Sequence, residues 1–115
     1  MKAETIDTPK GRITRYVELD ERLDSASALL DLLADTQSKT IAIPKERLDP
    51  KFFSLASGLA GEMLQKISNY CRRLIVVGDF QNVKSKSLRD FIYESNKTGQ
   101  VVFVGSIDEG VAKLR

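Results

Sequence analysis

The chain has 115 residues, of which 42% are hydrophobic and 30% charged, and its net charge is +2. That length suits a single domain, residues 1–115, and the balance excludes a disordered chain and lacks the basic excess that nucleic-acid binding shows. With no histidine and a single cysteine, Cys71, there are no parts for an ordinary zinc site, a Ser/His or Cys/His triad, or an internal disulfide.

The opening Met1-Lys2-Ala3-Glu4-Thr5 is polar where a secretory leader needs an apolar stretch. The longest apolar runs fall far short of the roughly 20 residues of a membrane helix, so the expected location is the cytoplasm, with no membrane partner. Residues 3–8 read as a strand, Pro9-Lys10-Gly11 as a turn, and residues 12–19 as a second strand completing an antiparallel hairpin. In that second strand Ile13, Val17 and Leu19 share one face, and Thr14, Tyr16 and Glu18 the exposed one. Asp20 or Asp24 then caps a helix to about Asp35 whose apolar stripe is Leu23, Ala26, Leu29, Leu30 and Leu33.

Thr40 to Pro44 is a third strand, followed by the polar loop Lys45-Glu46-Arg47. Asp49-Pro50 is a strong helix start, with an aspartate to cap and a proline at the first position, and the helix is expected to run to Tyr70. Residues 73–80 then read as the central strand of the sheet, because four consecutive aliphatic side chains suit burial on both faces before Gly78 frees the backbone. Ser85 or Ser87 caps a helix carrying Leu88, Phe91 and Ile92 and ending at Thr98-Gly99. A last apolar strand, Val101 to Gly105, leads through the capping-box spacing of Ser106 and Glu109 to a short helix with Ile107, Val111 and Leu114 on one side. Strand and helix in alternation demand parallel neighbours. The expected fold is therefore α/β, a mixed five-stranded sheet of three parallel strands plus the hairpin, with about four helices.

The blocks Phe52-Phe53-Ser54-Leu55, Gly58-Leu59-Ala60-Gly61-Glu62 with Leu64-Gln65-Lys66, Val77-Gly78-Asp79-Phe80, and Ser85 to Asn96 resemble a bacterial family catalogued as a domain of unknown function. More distantly, the element order looks like the STAS and SpoIIAA-like fold, whose members are mostly regulatory or interaction modules. That resemblance implies a small regulatory module and draws the eye to Ala56-Ser57-Gly58-Leu59, the nearest likeness to the STAS phosphoserine motif. No aspartate precedes Ser57, and a small packing residue is the alternative at Ser54 and Ser57.

Two surfaces stand out as candidate sites. On a continuous helix over 51–71, Ser54, Ser57, Gly58, Gly61, Gln65 and Ser68 gather on the face opposite the apolar stripe. Helical glycines cost about 1 kcal/mol each, which points to close approach by a neighbour such as a second copy of the chain, or else to a break near Ser57-Gly58. The second surface is the carboxyl end of the parallel strands, where ligands of α/β sheets tend to bind. There lie Lys45-Glu46-Arg47, Asp79-Phe80-Gln81 and Ser106 to Asp108, and Asp79 leads toward a helix start crowded by Lys84, Ser85, Lys86, Ser87 and Arg89. These cations want a negative partner, either Asp79 or Asp90 or a bound phosphate. Carboxylate pairs such as Glu46 with Asp79 have the groups for acid–base work, but surface acids are usually solvated. Cys71 reads as core or, beside Arg72 and Arg73, as a thiol favoured as thiolate. Gly105-Ser106 lacks the spacing of a P-loop, and no cofactor is expected.

Overall fold

The computed structural model describes residues 2–18 and 22–115. The hairpin forms as β1 (Lys2–Thr8) and β2 (Gly11–Glu18), with Gly11 at φ +104 supplying the turn conformation that a side chain would resist. Then follow α1 (Ala26–Ala34), β3 (Thr40–Pro44), α2 (Leu59–Asn69), β4 (Arg73–Val77), α3 (Lys86–Thr98), β5 (Val101–Val104) and α4 (Ile107–Lys113). The sheet runs β1-β2-β3-β4-β5, with only β1 antiparallel. The α/β class and the mixed five-stranded sheet are as expected, but β2 joins the parallel set. The middle strand is β3, not the 73–80 run. That run is the next strand out and ends at Val77, where Gly78 N still donates to Val104 O at 2.9 Å before the chain turns away.

Each crossover carries the chain one strand further in the same direction, so right-handed connections place α1, α2 and α3 on one face. That face holds the larger core, in which Leu29 and Leu33 of α1 and Met63 and Ile67 of α2 meet Ile41, Ile43, Leu74, Val76 and Phe103. The alternate residues Ala42, Ile75, Val102 and Val104 point to the opposite face, where Ile107, Val111 and Leu114 cover them. Coverage by α4 is partial. The expected facing of β2 holds for Ile13, which is buried, but not for its neighbours: Tyr16 is buried under α1, hydrogen-bonded to Thr36 Oγ1, while Val17 on the less covered face is 47% exposed.

Other boundaries shift for local reasons. Ser25 caps α1, accepting from Ala28 N at 3.1 Å, in place of Asp24; Leu19 and Asp20 lie outside the described residues. Leu23 is not on the helix stripe but bridges to Leu48. The expected helix from Asp49 to Tyr70 is broken. Asp49 does cap, accepting from Lys51 N, yet what begins is a 3₁₀ turn over Pro50–Phe53, then another over Leu55–Ser57, and α2 starts only after Gly58 at φ +80. Ser57 explains the break: its hydroxyl donates to Lys51 O at 2.6 Å and accepts from Leu59 N, competing with the helical ladder. The far end closes with Cys71 N donating to Ser68 O and Arg72 N to Ile67 O, a Schellman pattern that puts Cys71 at φ +53 on the surface rather than in the core.

Strand β5 ends the sheet, and its outward backbone groups are paired by side chains of α3. Asn96 Oδ1 accepts from Phe103 N at 2.7 Å, Asn96 Nδ2 donates to Phe103 O at 3.1 Å, and Ser95 Oγ donates to Val101 O at 2.5 Å. One carboxamide thus stands in for a neighbouring strand and blunts the edge. Asn96→Leu is expected to lower stability by about 1–3 kcal/mol, the cost of leaving a buried donor unmade, and to promote self-association; unchanged chemical denaturation and a monodisperse variant would refute it. No described helix is long and apolar enough to cross a membrane.

Candidate functional site

Adjacent strands β4 and β5 send their chains to opposite faces, β4 into α3 and β5 into α4. Such a divergence opens a crevice outside the carboxyl ends of a parallel sheet, the position where ligands of α/β folds lie. A crevice of about 540 Å³ is found there. Its lining includes Gly78, Asp79, Phe80 and Gln81 after β4, Ile92 and Asn96 from α3, Phe103 and Val104 from β5, and Gly105 and Glu109 at the start of α4.

The apolar wall belongs to a ring network that uses all five phenylalanines of the chain. Phe103 is its hub, with centroids 6.0 Å from Phe52, 5.6 Å from Phe80 and 5.9 Å from Phe91, while Phe53 closes the circuit against Phe52 at 5.0 Å and Phe80 at 6.1 Å. The break in the 51–71 segment serves this network, because the 3₁₀ turn over Pro50–Phe53 brings both Phe52 and Phe53 into it. Lys45 braces the outside. Its stem crosses Gly78, where an added β-carbon would meet Lys45 Cβ at 2.5 Å, and its ammonium sits 4.8 Å from the Phe80 centroid while donating to Asp79 O at 2.8 Å.

Two carboxylates supply the polar side of the crevice. Asp79 Oδ1 accepts from Gln81 N at 3.0 Å, fixing the turn after β4, and Glu109 Oε2 accepts from Gly105 N at 3.2 Å. The capping box read from Ser106 and Glu109 is half realised: Ser106 accepts from Glu109 N, but the glutamate reaches Gly105 N, one residue short of the cap. Each carboxylate has an anchored oxygen on the crevice rim and acceptor capacity to spare. With Asn96 and the rings, the arrangement can hold a donor-rich, positively charged group beside an apolar one.

Of the residues expected at this end, Asp79, Phe80 and Gln81 line the crevice, whereas Lys84, Ser85, Lys86, Ser87 and Arg89 do not. Ser85 caps α3 by accepting from Leu88 N at 3.2 Å, and Lys86 pairs with Asp90 at 2.8 Å. Asp90, one of the two acids expected, therefore answers Lys86, one of the three cations at this helix start. Its hydrogen bond and charge raise the Lys86 pKa, so the pair's contribution is intact at neutral pH and fades only as pH climbs past the ordinary lysine value. Lys84, Ser87 and Arg89 are exposed, and Glu46 is not part of the lining. On the other expected surface, Ser54, Ser57 and Gly58 belong to the 3₁₀ turns and α2 cap, and Gly61, Gln65 and Ser68 lie exposed along α2. A β-carbon added at Gly61 meets nothing within 4 Å, and Gln65 donates to Asn69.

The model of a family described as Domain of unknown function (DUF4180) matches residues 12–114. The chain belongs to this family. No curated protein and no solved structure matches the chain. The family span takes in the crevice, the ring network and the strands that carry them, leaving out β1 alone among the sheet strands. Sequence reasoning reached Asp79, Phe80 and Gln81 but missed Asn96, Phe103 and Glu109. The only signal for Asn96 was its place at the end of the Ser85 to Asn96 block, and Glu109 was read solely as a cap.

Proposed function

We propose that this protein is a small non-catalytic binding module of regulatory type, whose ligand occupies the crevice between the ends of β4 and β5. The ligand class is a small organic cation that carries an apolar group. The observation that carries this reading is the convergence of Asp79 and Glu109 on a crevice walled by Phe80 and Phe103 at the point where α3 and α4 diverge. The carboxylates would receive the ammonium or amidinium, and the rings its apolar part. An anion held by Lys84 to Arg89 is less well supported, since Lys86 is paired and Ser85 is engaged as the cap.

Phenethylamine is a suitable probe, with phenylacetate as the comparison of opposite charge. The amine is expected to bind saturably and raise the melting temperature, and the acid to do neither. Asp79→Asn and Glu109→Gln should each weaken the amine by about tenfold, the scale of losing one charged acceptor. Equal responses to amine and acid would defeat the reading.

A further inference from the structure

A second cavity, also of about 540 Å³, lies at the opposite end of the sheet, and its polarity is reversed. Because β2 to β5 run parallel, the amino ends of β2, β3 and β4 come together there, with Arg12 near the start of β2, Lys39 just before β3 and Arg73 opening β4. Lys10 from the hairpin turn joins them, and the hydroxyls of Thr14 and Ser38, hydrogen-bonded to each other at 2.8 Å, add to the polar lining along with Thr5 and Gln37. Among the described residues no carboxylate lines this cavity.

The way these cations are held matters more than their number. Arg73 donates through Nε to Thr40 Oγ1 at 2.8 Å, and through its terminal nitrogens to Arg115 O at 2.8 Å and Lys10 O at 2.5 Å. Lys10 Nζ donates to Ala112 O and Leu114 O. These bonds fix two cations in place through main-chain and hydroxyl oxygens, not side-chain carboxylates, and they engage three of the five N–H donors of Arg73. Lys39 is exposed and makes no side-chain hydrogen bond or ion pair with the described residues. Only Arg12 has an acid, Asp7 at 3.0 Å, and that pair is largely in solvent. A concave surface lined by one sign of charge focuses its field and concentrates counter-ions. Hydroxyls beside pre-positioned arginine and lysine donors match the oxygens of a tetrahedral anion.

We propose that this cavity, at the amino ends of β2, β3 and β4, binds a small oxyanion of the phosphate class. The site is independent of the crevice at the carboxyl ends. Its volume leaves room for a phosphomonoester as well as inorganic phosphate.

Inorganic phosphate titrated into the full chain at constant ionic strength, followed by calorimetry and amide NMR, tests this. Saturable binding is expected, with shifts at Gly11, Ser38 and Lys39 and none at Asp79 to Gln81. Lys39→Glu should weaken it by about tenfold or more, whereas Lys84→Glu, the same charge change on an exposed residue of the other surface, should leave it intact. Glycerol phosphate in place of phosphate separates a free-anion site from one that takes phosphomonoesters, and binding of either supports the site. Non-saturable binding, or equal weakening by both glutamate variants, overturns it.

Discussion

Phe103→Ala is expected to lower the stability of the fold by about 3–5 kcal/mol, the range for removing a large buried aromatic side chain. Phe103 is 3% exposed and its ring contacts those of Phe52, Phe80 and Phe91, so truncation empties the hub of the network and leaves no neighbour able to fill the gap without moving a strand or a helix. The loss is large against the 5–15 kcal/mol that typically holds a domain together. The backbone of Phe103 also forms both hydrogen bonds with Asn96, so the variant should loosen the edge clamp as well. Urea denaturation measures this directly. A loss under about 1 kcal/mol would mean the rings are a surface cluster and not the core of the crevice wall.

Gly110→Ala is the second large effect, and here two terms oppose each other. Alanine in place of a helical glycine ordinarily gains about 1 kcal/mol from propensity alone. At Gly110, however, a β-carbon would stand 2.6 Å from Ile75 Cγ2 and 3.2 Å from both Ile75 Cδ1 and Val104 Cγ2. Ile75 is fully buried in a strand and stiff at its branched carbon, so it has no room to yield, and overpacking of this kind costs about 1–3 kcal/mol. We therefore expect net destabilisation, or a displaced α4. Because Glu109 precedes Gly110 and lines the crevice, the same variant should weaken binding of the amine probe even where the fold survives. A variant more stable than the parent, with unaltered binding, would show that α4 rests on the sheet less closely than described.

The strand and helix order was legible from the chain because each β-α-β step declares itself locally: β4 and β5 as largely unbroken apolar runs, Ser85 and Ser106 as caps, Gly99 as a C-terminal stop at φ +81. What escaped were choices that depend on partners far away in sequence. Which strand is central follows from pairing, and the 73–80 run looks central because helices cover both of its faces, although its neighbour β5 is the edge. The helix expected from Asp49 onward has good apolar spacing throughout, and only the competition of the Ser57 hydroxyl and the freedom of Gly58 break it. The crevice was half visible. Topology led to Asp79, but the cations next in sequence drew attention toward an anion, while Asn96, Phe103 and Glu109 reach the site only through the fold. Likewise the basic cavity assembles Lys10, Lys39 and Arg73 from three separate strand starts, a cluster that net charge and local charge runs cannot reveal.

The central claim is that the crevice between the ends of β4 and β5 is the ligand site, and amide NMR of the full chain titrated with phenethylamine tests it most directly. The account predicts saturable shifts confined to residues 78–81, Asn96, Phe103 and 105–109, abolished together in the Asp79→Asn, Glu109→Gln double variant. Shifts centred elsewhere, or shifts that persist unchanged in the double variant, would contradict it.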